Sequence, residues 1–418
     1  MRILIALHDY LPLHKGGSEV HAHQTAAELA RRGHEVCALF TERDLSRAPG
    51  DVREGELDGV RTIEVVHQRE YADVRETWEE NESLACFREE LARIRPEVVH
   101  FHHLAIWGSR ALEAAKEAGA RVVVTLHDYH LLCDAATLMR PDGALCRYAA
   151  AAPDGSCTDC LRRHPALGRR WSLTGDALWE RAARERFALH RASLARADVV
   201  ISPSHFLAQR FHAAGWVRRE EVVVAKAGYP GPLRPPRTRE LRRPLRIGYV
   251  GGIYETKGVH VLVRAFRRLA GVPAELHVYG HLDWFPDYAA RLEADAAGAR
   301  VTFHGPFEPP RIDEILARID CLVVPSIWVE NMPITIQEAF RNGLPVVTTD
   351  LGGMRESVED GISGLTFPRG DEEALAAALR RLATDPALYD RLAAGRPAVP
   401  TLEEIVDLLE SIYADSPR

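Results

Sequence analysis

The sequence lacks both the long apolar run of a membrane-spanning helix and an excess of one charge. No stretch of its 418 residues approaches 18 consecutive apolar residues, so we expect no spanning helix. Its 53 Lys+Arg and 60 Asp+Glu give a formal net charge of −7, which argues against a nucleic-acid binder driven by overall charge. Apolar residues at 46% and charged residues at 27% are typical of a globular protein.

Cysteine is also scarce. Seven cysteines, an odd number in a long chain, argue against a disulfide scaffold and favour a reducing compartment. The first residues, MRILIALHDYLPLHKGG, contain a short apolar run with no small-residue cleavage site after it. This pattern is typical of a buried first strand rather than a signal peptide, so a cytoplasmic protein is expected.

Short apolar runs rich in β-branched residues alternate with amphipathic helical patterns along most of the chain. The runs predicted to be strands are Arg2–Leu7, Glu35–Phe40, Val60–Val66, Val98–His102, Val122–His127, Val199–Ser202, Val222–Ala225, Arg246–Val250, Glu275–Tyr279, Val301–His304, Cys321–Pro325, Pro345–Thr348 and Leu365–Phe367. Strands that alternate with helices indicate βαβ units and parallel sheets. The predicted fold class is therefore α/β, with doubly wound, Rossmann-like domains.

A segment rich in proline and arginine, residues 229–244, separates the two series of strands and has the composition of a linker. We therefore predict an N-terminal domain over residues 1–228 and a C-terminal domain over residues 245–400. A helix over 401–418, which begins with the capping box Thr401-x-x-Glu404, is expected to complete the N-terminal domain. Ligand is expected between the two domains, at the C-terminal ends of their strands.

Residues 325–343, PSIWVENMPITIQEAFRNG, carry the sharpest pattern for a ligand site. It predicts a helix that begins at Pro333 and is closed by Gly343. Glu330 then lies in the loop before this helix and Glu338 lies inside it. The backbone N–H groups predicted to face a ligand are those of Asn331, Met332 and Ile334. A diphosphate is a natural ligand beside the positive end of a helix dipole, and carboxylates accept hydrogen bonds from sugar hydroxyls.

Four other motifs suit phosphate and sugar binding. They are Gly16-Gly17-Ser18-Glu19 with the helical pattern of residues 28–36, Thr125-Leu126-His127-Asp128, Gly251-Gly252 to Lys257-Gly258, and Asp350 to Glu356. Glycines after a strand let backbone amides approach a phosphate, and Lys257 would neutralise a leaving diphosphate. His127 ends a buried strand, where it would bond a donor sugar or a phosphate.

Together these five motifs, in this order, resemble the retaining glycosyltransferases of family 4, which have the GT-B fold. The resemblance covers nearly the whole chain, and residues 325–343 correspond to the family's E-x7-E region. It implies transfer of a sugar from a nucleoside diphosphate sugar to a glycan or lipid-linked acceptor, in cell-envelope or exopolysaccharide synthesis. It also implies reaction on one face of the sugar, with the leaving phosphate helping to deprotonate the acceptor, so that no protein nucleophile is needed.

The resemblance assigns a role to each site residue. The implied catalytic residues are Glu330 on the hexose, His127 as a positioning group and Lys257 on the diphosphate. The implied donor-binding residues are Gly16, Gly17, Gly252, Asn331, Met332, Pro333, Ile334 and Glu338, the last on the ribose. The family commonly has Arg near the position of Gly252, so one cation is missing here.

Two rival functions stay open. Another GT-B chemistry, such as sugar-nucleotide epimerisation, needs an acid/base pair around the hexose, and a non-catalytic binding subunit would bind the donor without turning it over. A dinucleotide oxidoreductase is disfavoured because no G-x-G-x-x-G follows either first strand. A D-x-D metal motif is absent from a suitable loop. Because Lys257 and helix N-termini supply positive charge, we expect no catalytic divalent cation.

Four of the seven cysteines fall within 28 residues. They are Cys133, Cys146, Cys157 and Cys160, with His130 and His164 as reserve ligands. A C-x2-C pair can give two thiolates to one tetrahedral ion, and this insert, at about residues 130–165, has too few apolar residues for its own core. The prediction is a structural zinc, with an iron–sulfur cluster or unligated thiols as alternatives. A similar insert occurs in a subgroup of the family.

Residues 161–196 contain nine Arg and three acidic residues, a local excess of +6. The apolar residues interleaved with them are Trp171, Leu173, Leu178, Trp179 and Phe187. Such a helix could dock on anionic lipid at the inner face of a membrane, which would bring the enzyme to its acceptor. The alternative is a helix with its apolar face in the core and its arginines in solvent.

Overall fold

The computed structural model describes residues 1–68, 74–133, 135–146, 155–162, 176–240 and 243–415. The chain divides into two compact units. Unit 1 comprises residues 1–228 and 402–418, and unit 2 comprises residues 229–401. Each unit is an α/β structure with one sheet, as the alternation of strands and helices predicts.

The sheet of unit 1 has eight strands in the order β3-β4-β2-β1-β5-β6-β7-β8. They are β1 (Arg2–Ala6), β2 (Glu35–Arg43), β3 (Val52–Leu57), β4 (Val60–His67), β5 (Val98–Phe101), β6 (Arg121–Thr125), β7 (Val199–Ser202) and β8 (Val222–Val224). All neighbouring pairs are parallel except β3–β4. The central strand β1 is fully buried from Ile3 to Ala6, as a parallel strand covered on both faces must be.

The described helices of unit 1 are α1 (Gly17–Arg31), α2 (Glu82–Ile94), α3 (Arg110–Glu117), α4 (Gly155–Arg162), α5 (Asp176–Leu194), α6 (His205–Ala213) and α14 (Leu402–Ala414). The edge strand β3 was not predicted, because its sequence VREGEL is exposed along almost its whole length and shows no apolar alternation. Its pairing with β4 depends on the turn at Asp58-Gly59, where both residues have positive φ.

The sheet of unit 2 has six parallel strands in the order β11-β10-β9-β12-β13-β14. They are β9 (Leu245–Val250), β10 (Ala274–Tyr279), β11 (Val301–Gly305), β12 (Cys321–Val324), β13 (Val346–Thr349) and β14 (Gly364–Phe367). The helices are α7 (Val259–Arg267), α8 (Pro286–Ala296), α9 (Ile312–Leu316), α10 (Ile334–Arg341), α11 (Gly352–Ser357), α12 (Glu372–Thr384) and α13 (Pro386–Ala394).

The strand order of each sheet reverses at one pair of central strands, β1 and β5 in unit 1 and β9 and β12 in unit 2. At such a point the chain leaves the two strands in opposite directions, which opens a crevice at their carboxyl ends. The loops that follow β9 and β12 contain Lys257 and Glu330. Gly16 follows β1, and His102 follows β5 directly. The topology therefore places the predicted site residues where ligands bind in open α/β sheets.

The proline-rich segment predicted as a linker is part of unit 2 and packs against the end of α10. The N–H groups of Arg234 and Arg237 donate to the carbonyl oxygens of Arg341 and Gly343, at 2.8 and 3.1 Å. These hydrogen bonds fix the segment to the end of α10. Its composition therefore reflects irregular structure within unit 2, not a free linker.

The C-terminal helix α14 supplies part of the core of unit 1. Its buried face, which packs among α1 and the central strands, consists of Leu402, Ile405, Val406, Leu409, Ile412 and Tyr413. The Tyr413 hydroxyl also lies 2.7 Å from Nδ1 of the buried His100. Among the described residues, no helix is both long enough and apolar enough to cross a membrane.

Replacing Leu409, which is 4% exposed, with alanine should destabilise unit 1 by about 2–5 kcal/mol, because it leaves a cavity under α14. Urea denaturation of the purified protein measures the effect. Ser411→Ala, on the exposed face of the same helix, is the control and should change stability by less than about 0.5 kcal/mol. Equal midpoints for Leu409→Ala and the control would contradict the packing described here.

Candidate active site

The loop that carries Glu330 is fixed by its neighbours on both sides. The Gly353 N–H donates to the Glu330 carbonyl oxygen at 2.8 Å, and the Ile327 N–H donates to the Thr256 carbonyl oxygen at 2.8 Å. These bonds join the loop after β12 to the loops after β9 and β13. Three of the five sequence motifs thus meet at one edge of the unit 2 sheet.

Close backbone approach requires glycine at two of these positions. Gly258 has φ +70°, and a Cβ there would lie 2.0 Å from the Pro325 carbonyl oxygen. A Cβ on Gly353 would lie 1.6 Å from the Asn331 carbonyl oxygen. Any larger residue would push the Glu330 loop away, which gives these motif glycines a physical reason.

Lys257 and Glu330 form a direct ion pair. Lys257 Nζ lies 2.8 Å from Glu330 Oε1, which also accepts a 2.7 Å hydrogen bond from the Ser326 hydroxyl. The side chains are 23% and 5% exposed. Burial by itself would lower the pKa of Lys257, but the attraction of Glu330 outweighs it and the pKa is raised. The two residues, predicted as separate contacts to the diphosphate and the hexose, are therefore one charged pair.

Aromatic rings flank the lysine. Its Nζ lies 5.2 Å from the centroid of the Trp328 ring and 5.8 Å from that of Tyr254, within the range of cation–π attraction. The Tyr254 ring also explains the glycine at position 252, because a Cβ there would lie 2.6 Å from that ring. A larger residue at position 252 would therefore require the Tyr254 ring to shift.

The helix after this loop begins one residue later than predicted. Pro333 is its N-cap rather than its first residue, and Gly343, with φ +77°, follows its last turn as predicted. The Met332 N–H donates to the Asn331 side-chain oxygen at 2.7 Å, so this amide is already bonded within the loop.

Glu338 lies half-buried on α10. Burial raises the pKa of its carboxyl from 4.5 to about 7, with Arg341 acting in the opposite direction and Asp313 adding to the rise. A carboxyl that titrates near neutral pH can accept a hydrogen bond when ionised and donate one when protonated. Either form suits a vicinal diol such as that of ribose.

In unit 1, Gly16 is the N-cap of α1, and a carboxylate lies against it. A Cβ on Gly16 would be 2.2 Å from Glu19 Oε2, and Glu19 is only 4% exposed. Burial raises the pKa of Glu19 in spite of the 2.8 Å hydrogen bond from the Ser18 hydroxyl. The helix N-terminus predicted to bind phosphate through Gly16 and Gly17 thus has an acid of its own beside it.

His127 belongs to a group of histidines that lie on or just after β1, β5 and β6, together with His21 on α1. We call this group, which consists of His8, His21, His100, His102, His103 and His127, the histidine cluster. His127 Nε2 lies 2.9 Å from His102 Nδ1, and their rings are stacked with centroids 5.2 Å apart. The rings of His21 and His8 contact those of His102 and His103, at 5.6 and 4.2 Å.

Most of the cluster is uncharged at neutral pH. Burial, followed by repulsion from neighbouring imidazoles, holds the pKa of both His102 and His127 well below 6.5. The pKa of His21 is lowered to about 4 and that of His100 to about 3. His103 is the exception, because Asp128, 3.2 Å away, raises its pKa against the effect of burial. A neutral His127 suits a sugar hydroxyl better than a phosphate.

Of the cluster, only His127 was predicted as a site residue. The signal for three others was present, since His8 and His103 directly follow predicted strands and His102 is the last residue of one. The carboxyl ends of such strands meet at one edge. A small pocket beside this edge is lined in part by His102, His103, His127 and Asp128.

The four cysteines are divided between a loop and a helix. Cys133 and Cys146 lie in the loop region after β6, and Cys157 and Cys160 lie on α4. Within the described residues, no three His, Cys, Asp or Glu side chains converge in a way that could hold a metal ion. Residues 134, 147–154 and 163–175, which include the reserve ligand His164, lie outside the described residues, and the structural zinc stays a prediction.

The described part of the basic segment, which lies mainly on α5, buries some of its apolar residues and exposes others. Trp179 and Phe187 on α5 are 6% and 8% exposed, and Trp179 packs with Trp78 and Leu161. Arg186 is also buried and donates to the His130 carbonyl oxygen at 2.5 Å. Helix α5 therefore buries Trp179 and Phe187 in unit 1, whereas Leu178 is 38% exposed. Trp171 and Leu173 lie outside the described residues, and docking on anionic lipid stays a prediction.

Two Rossmann-like units with a charged pair at the strand reversal of unit 2 are the features expected of a glycosyltransferase with the GT-B fold. The profile of Glycosyltransferase Family 4 matches residues 15–229, and that of Glycosyl transferases group 1 matches residues 244–385. The chain belongs to glycosyltransferase family 4.

Relatives and solved structures agree with this family. Glycogen synthase of Mycobacterium tuberculosis (strain ATCC 25618 / H37Rv) is 27% identical over 414 residues, covering 94% of this chain and 88% of the relative. The amylovoran biosynthesis glycosyltransferase AmsK of Erwinia amylovora is 34% identical over 154 residues, covering 34% and 37%.

Among solved structures, Anabaena Alr3699/HepE in complex with UDP and glucose has a TM-score of 0.66 at 17% identity, with 99% of each chain covered. Sucrose-phosphate synthase (tll1590) from Thermosynechococcus elongatus has a TM-score of 0.68 at 19% identity, with 99% and 98% covered. At such identities the likeness concerns the fold.

The raised pKa of Glu338 predicts a pH-dependent stability. Because the folded protein binds this proton more tightly than the unfolded chain, the stability it contributes is full below pH 4.5 and is lost as the pH rises through about 7. The melting temperature of Glu338→Gln should therefore nearly equal that of wild type at pH 5. It should exceed the wild-type value by a growing margin as the pH rises towards 8. Glu314→Gln, with a 58% exposed side chain on α9, is the control. A difference for Glu338→Gln that stays constant with pH would contradict the assignment.

Proposed function

We propose that this glycosyltransferase transfers a sugar from a nucleoside diphosphate sugar, with retention of configuration, to a glycan or lipid-linked acceptor during polysaccharide synthesis. The single observation that carries the proposal is the Lys257–Glu330 pair at the switch point of unit 2. It offers a cation for a diphosphate and a carboxylate for sugar hydroxyls at one place. The names of the relatives, which include glycogen and amylovoran synthesis, support a polysaccharide product.

The charges of the pair suggest how the donor is held. Before the donor binds, Glu330 neutralises Lys257, so the empty site carries no unpaired buried charge. The diphosphate then shares the lysine, and Glu330 keeps the Ser326 hydrogen bond while it accepts one from the sugar. Negative charge that develops on the leaving phosphate meets Lys257 and the N-terminus of α10, and this is the main contribution to rate that we propose.

We assign no nucleophile to the protein. Glu330 Oε1 already accepts hydrogen bonds from Lys257 and Ser326, which lowers its capacity to attack carbon. A reaction on one face of the sugar needs only the leaving phosphate oxygen to take the acceptor proton. His127, neutral and bonded to His102, would position a sugar hydroxyl without acting as a base. Lys257 and the helix terminus supply the positive charge that a divalent cation would otherwise bring.

The configuration of the product tests the reaction directly. A thermal-shift panel of UDP-, GDP- and ADP-sugars should identify a stabilising donor, and an α-configured donor should then give an α-linked product by NMR. Mass spectrometry should show one added sugar per acceptor. A β-linked product would contradict retention. Epimerised donor would favour the epimerase, and donor binding without hydrolysis or transfer would favour the binding subunit.

Lys257→Ala should lower kcat/KM for the donor by about 10²-fold, because charge on the leaving phosphate loses its partner. Lys116→Ala is a matched control, since Lys116 pairs with Asp198 in unit 1 at 2.9 Å and has a similar exposure, 26%. It should leave kcat/KM unchanged. Melting temperatures of both variants separate lost catalysis from lost folding. A near-normal rate for a folded Lys257→Ala protein would remove Lys257 from the site.

A further inference from the structure

The loop that follows β10 carries two large apolar side chains into solvent. Trp284 is 58% exposed and Phe285 is 50% exposed, although both lie directly before a helix fixed by Pro286. Adjacent exposed aromatics are unfavourable in water and mark binding surfaces. We call residues 281–285, HLDWF, the aromatic loop.

The rings of the aromatic loop are ordered by their neighbours. The Trp284 ring stacks on that of His281 at 8° and 4.3 Å, which covers one face of the indole. The exposed fraction of Trp284 shows that the rest of its ring remains in solvent. A stacked, supported ring loses little conformational entropy when a ligand covers it. This is a preformed platform rather than a loose side chain.

The platform is continuous with the donor site. The Phe285 ring lies 5.7 Å from that of Tyr254, and the Tyr254 ring lies 5.8 Å from Lys257 Nζ. Residues 251–258, which follow β9 and contain Lys257, form the lysine loop. Because β10 is the direct neighbour of β9, the aromatic loop and the lysine loop leave the same edge of the sheet. Phe285, the sequence neighbour of Trp284, therefore connects the aromatic loop to Lys257 through the Tyr254 ring.

Charge selects the kind of ligand. Asp283 and Asp287 are exposed beside the rings, and Asp283 is also 3.4 Å from His281 Nδ1. The nearby Arg291 of α8 pairs with Glu255. Carboxylates repel phosphates, nucleic acid and anionic lipid, but they accept hydrogen bonds from hydroxyl groups. An aromatic face with a carboxylate rim is suited to a neutral sugar ring.

We propose that the aromatic loop is a binding subsite for a neutral glycan chain, with a sugar ring stacked on the open face of Trp284. The subsite would hold the growing acceptor and raise its local concentration at the donor site. The identification of this glycan as the acceptor rests on the proposed function. Binding of a glycan at Trp284 can be measured without turnover.

The experiment is isothermal titration of the full chain with two uncharged probes, maltoheptaose and cellohexaose. Trp284→Ala should weaken binding of at least one probe by about tenfold or more, whereas Trp284→Phe, which keeps a stacking ring, should recover most of the affinity. Asp283→Asn should weaken it less. Leu233→Ala is the control, because Leu233 is 51% exposed and lies next to Arg234 at the far end of α10.

Three results would overturn the subsite: wild type that binds neither probe, equal glycan affinity in Trp284→Ala and wild type, or a loss confined to nucleotide affinity, which would make the loop a nucleobase contact. Thermal shifts with nucleotide sugars and donor hydrolysis test the proposed function separately. Wild type that turns over donor but binds no glycan defeats only the subsite. Trp284-dependent glycan binding without any donor binding defeats only the proposed function.

Discussion

The Glu330 carboxylate is only 5% exposed, so it must be hydrogen-bonded or ion-paired. The loops after β9, β12 and β13 of unit 2 are arranged around it. A lysine, a hydroxyl and two glycine turns meet its requirement: Lys257 and Ser326 bond the side chain, Gly353 bonds the backbone, and Gly258 lets the lysine loop come close. Breaking a buried pair by removing one partner typically costs about 3–5 kcal/mol. The donor motifs therefore form one mechanical unit, in which a change at one position is felt at the others.

The candidate site residues of the two units form chemically different surfaces. Unit 2 presents a lysine and a carboxylate that compensate each other, together with a carboxyl on α10 poised near neutral pH. Unit 1 presents imidazoles that burial keeps mostly uncharged, with an acid beside the N-terminus of α1. The first kind of surface suits a diphosphate, and either kind suits hydroxyl groups. This difference explains why glycine-rich turns, present in both units, do not have to serve the same ligand.

Strands were predictable because parallel sheets bury both faces and so leave unbroken apolar runs, such as RILIA and CLVV. The exposed edge strand β3 carries no such run and was missed. The order of motifs located Glu330, Lys257 and His127, but their contacts depend on rotamers and on loops distant in sequence. The bond between Lys257 and Glu330, the acid beside Gly16 and the neutral state of His127 follow from that packing. Trp179, predicted to face a membrane or a core, packs in a cluster with Trp78, which is distant in sequence.

Helix α14 belongs to unit 1 although it follows unit 2 in the sequence, so unit 1 cannot be completed during synthesis until α14 has been made. The first 228 residues emerge without the helix that covers their core, and 173 residues of unit 2 must be made before it appears. At about 5–20 residues per second this takes roughly 10–35 s. During that time the surface that α14 will cover, around Val36 and Ala22, is open to water and to other nascent chains. Unit 2 is contiguous in sequence and can therefore complete its fold before unit 1, although unit 1 is the first to be synthesised.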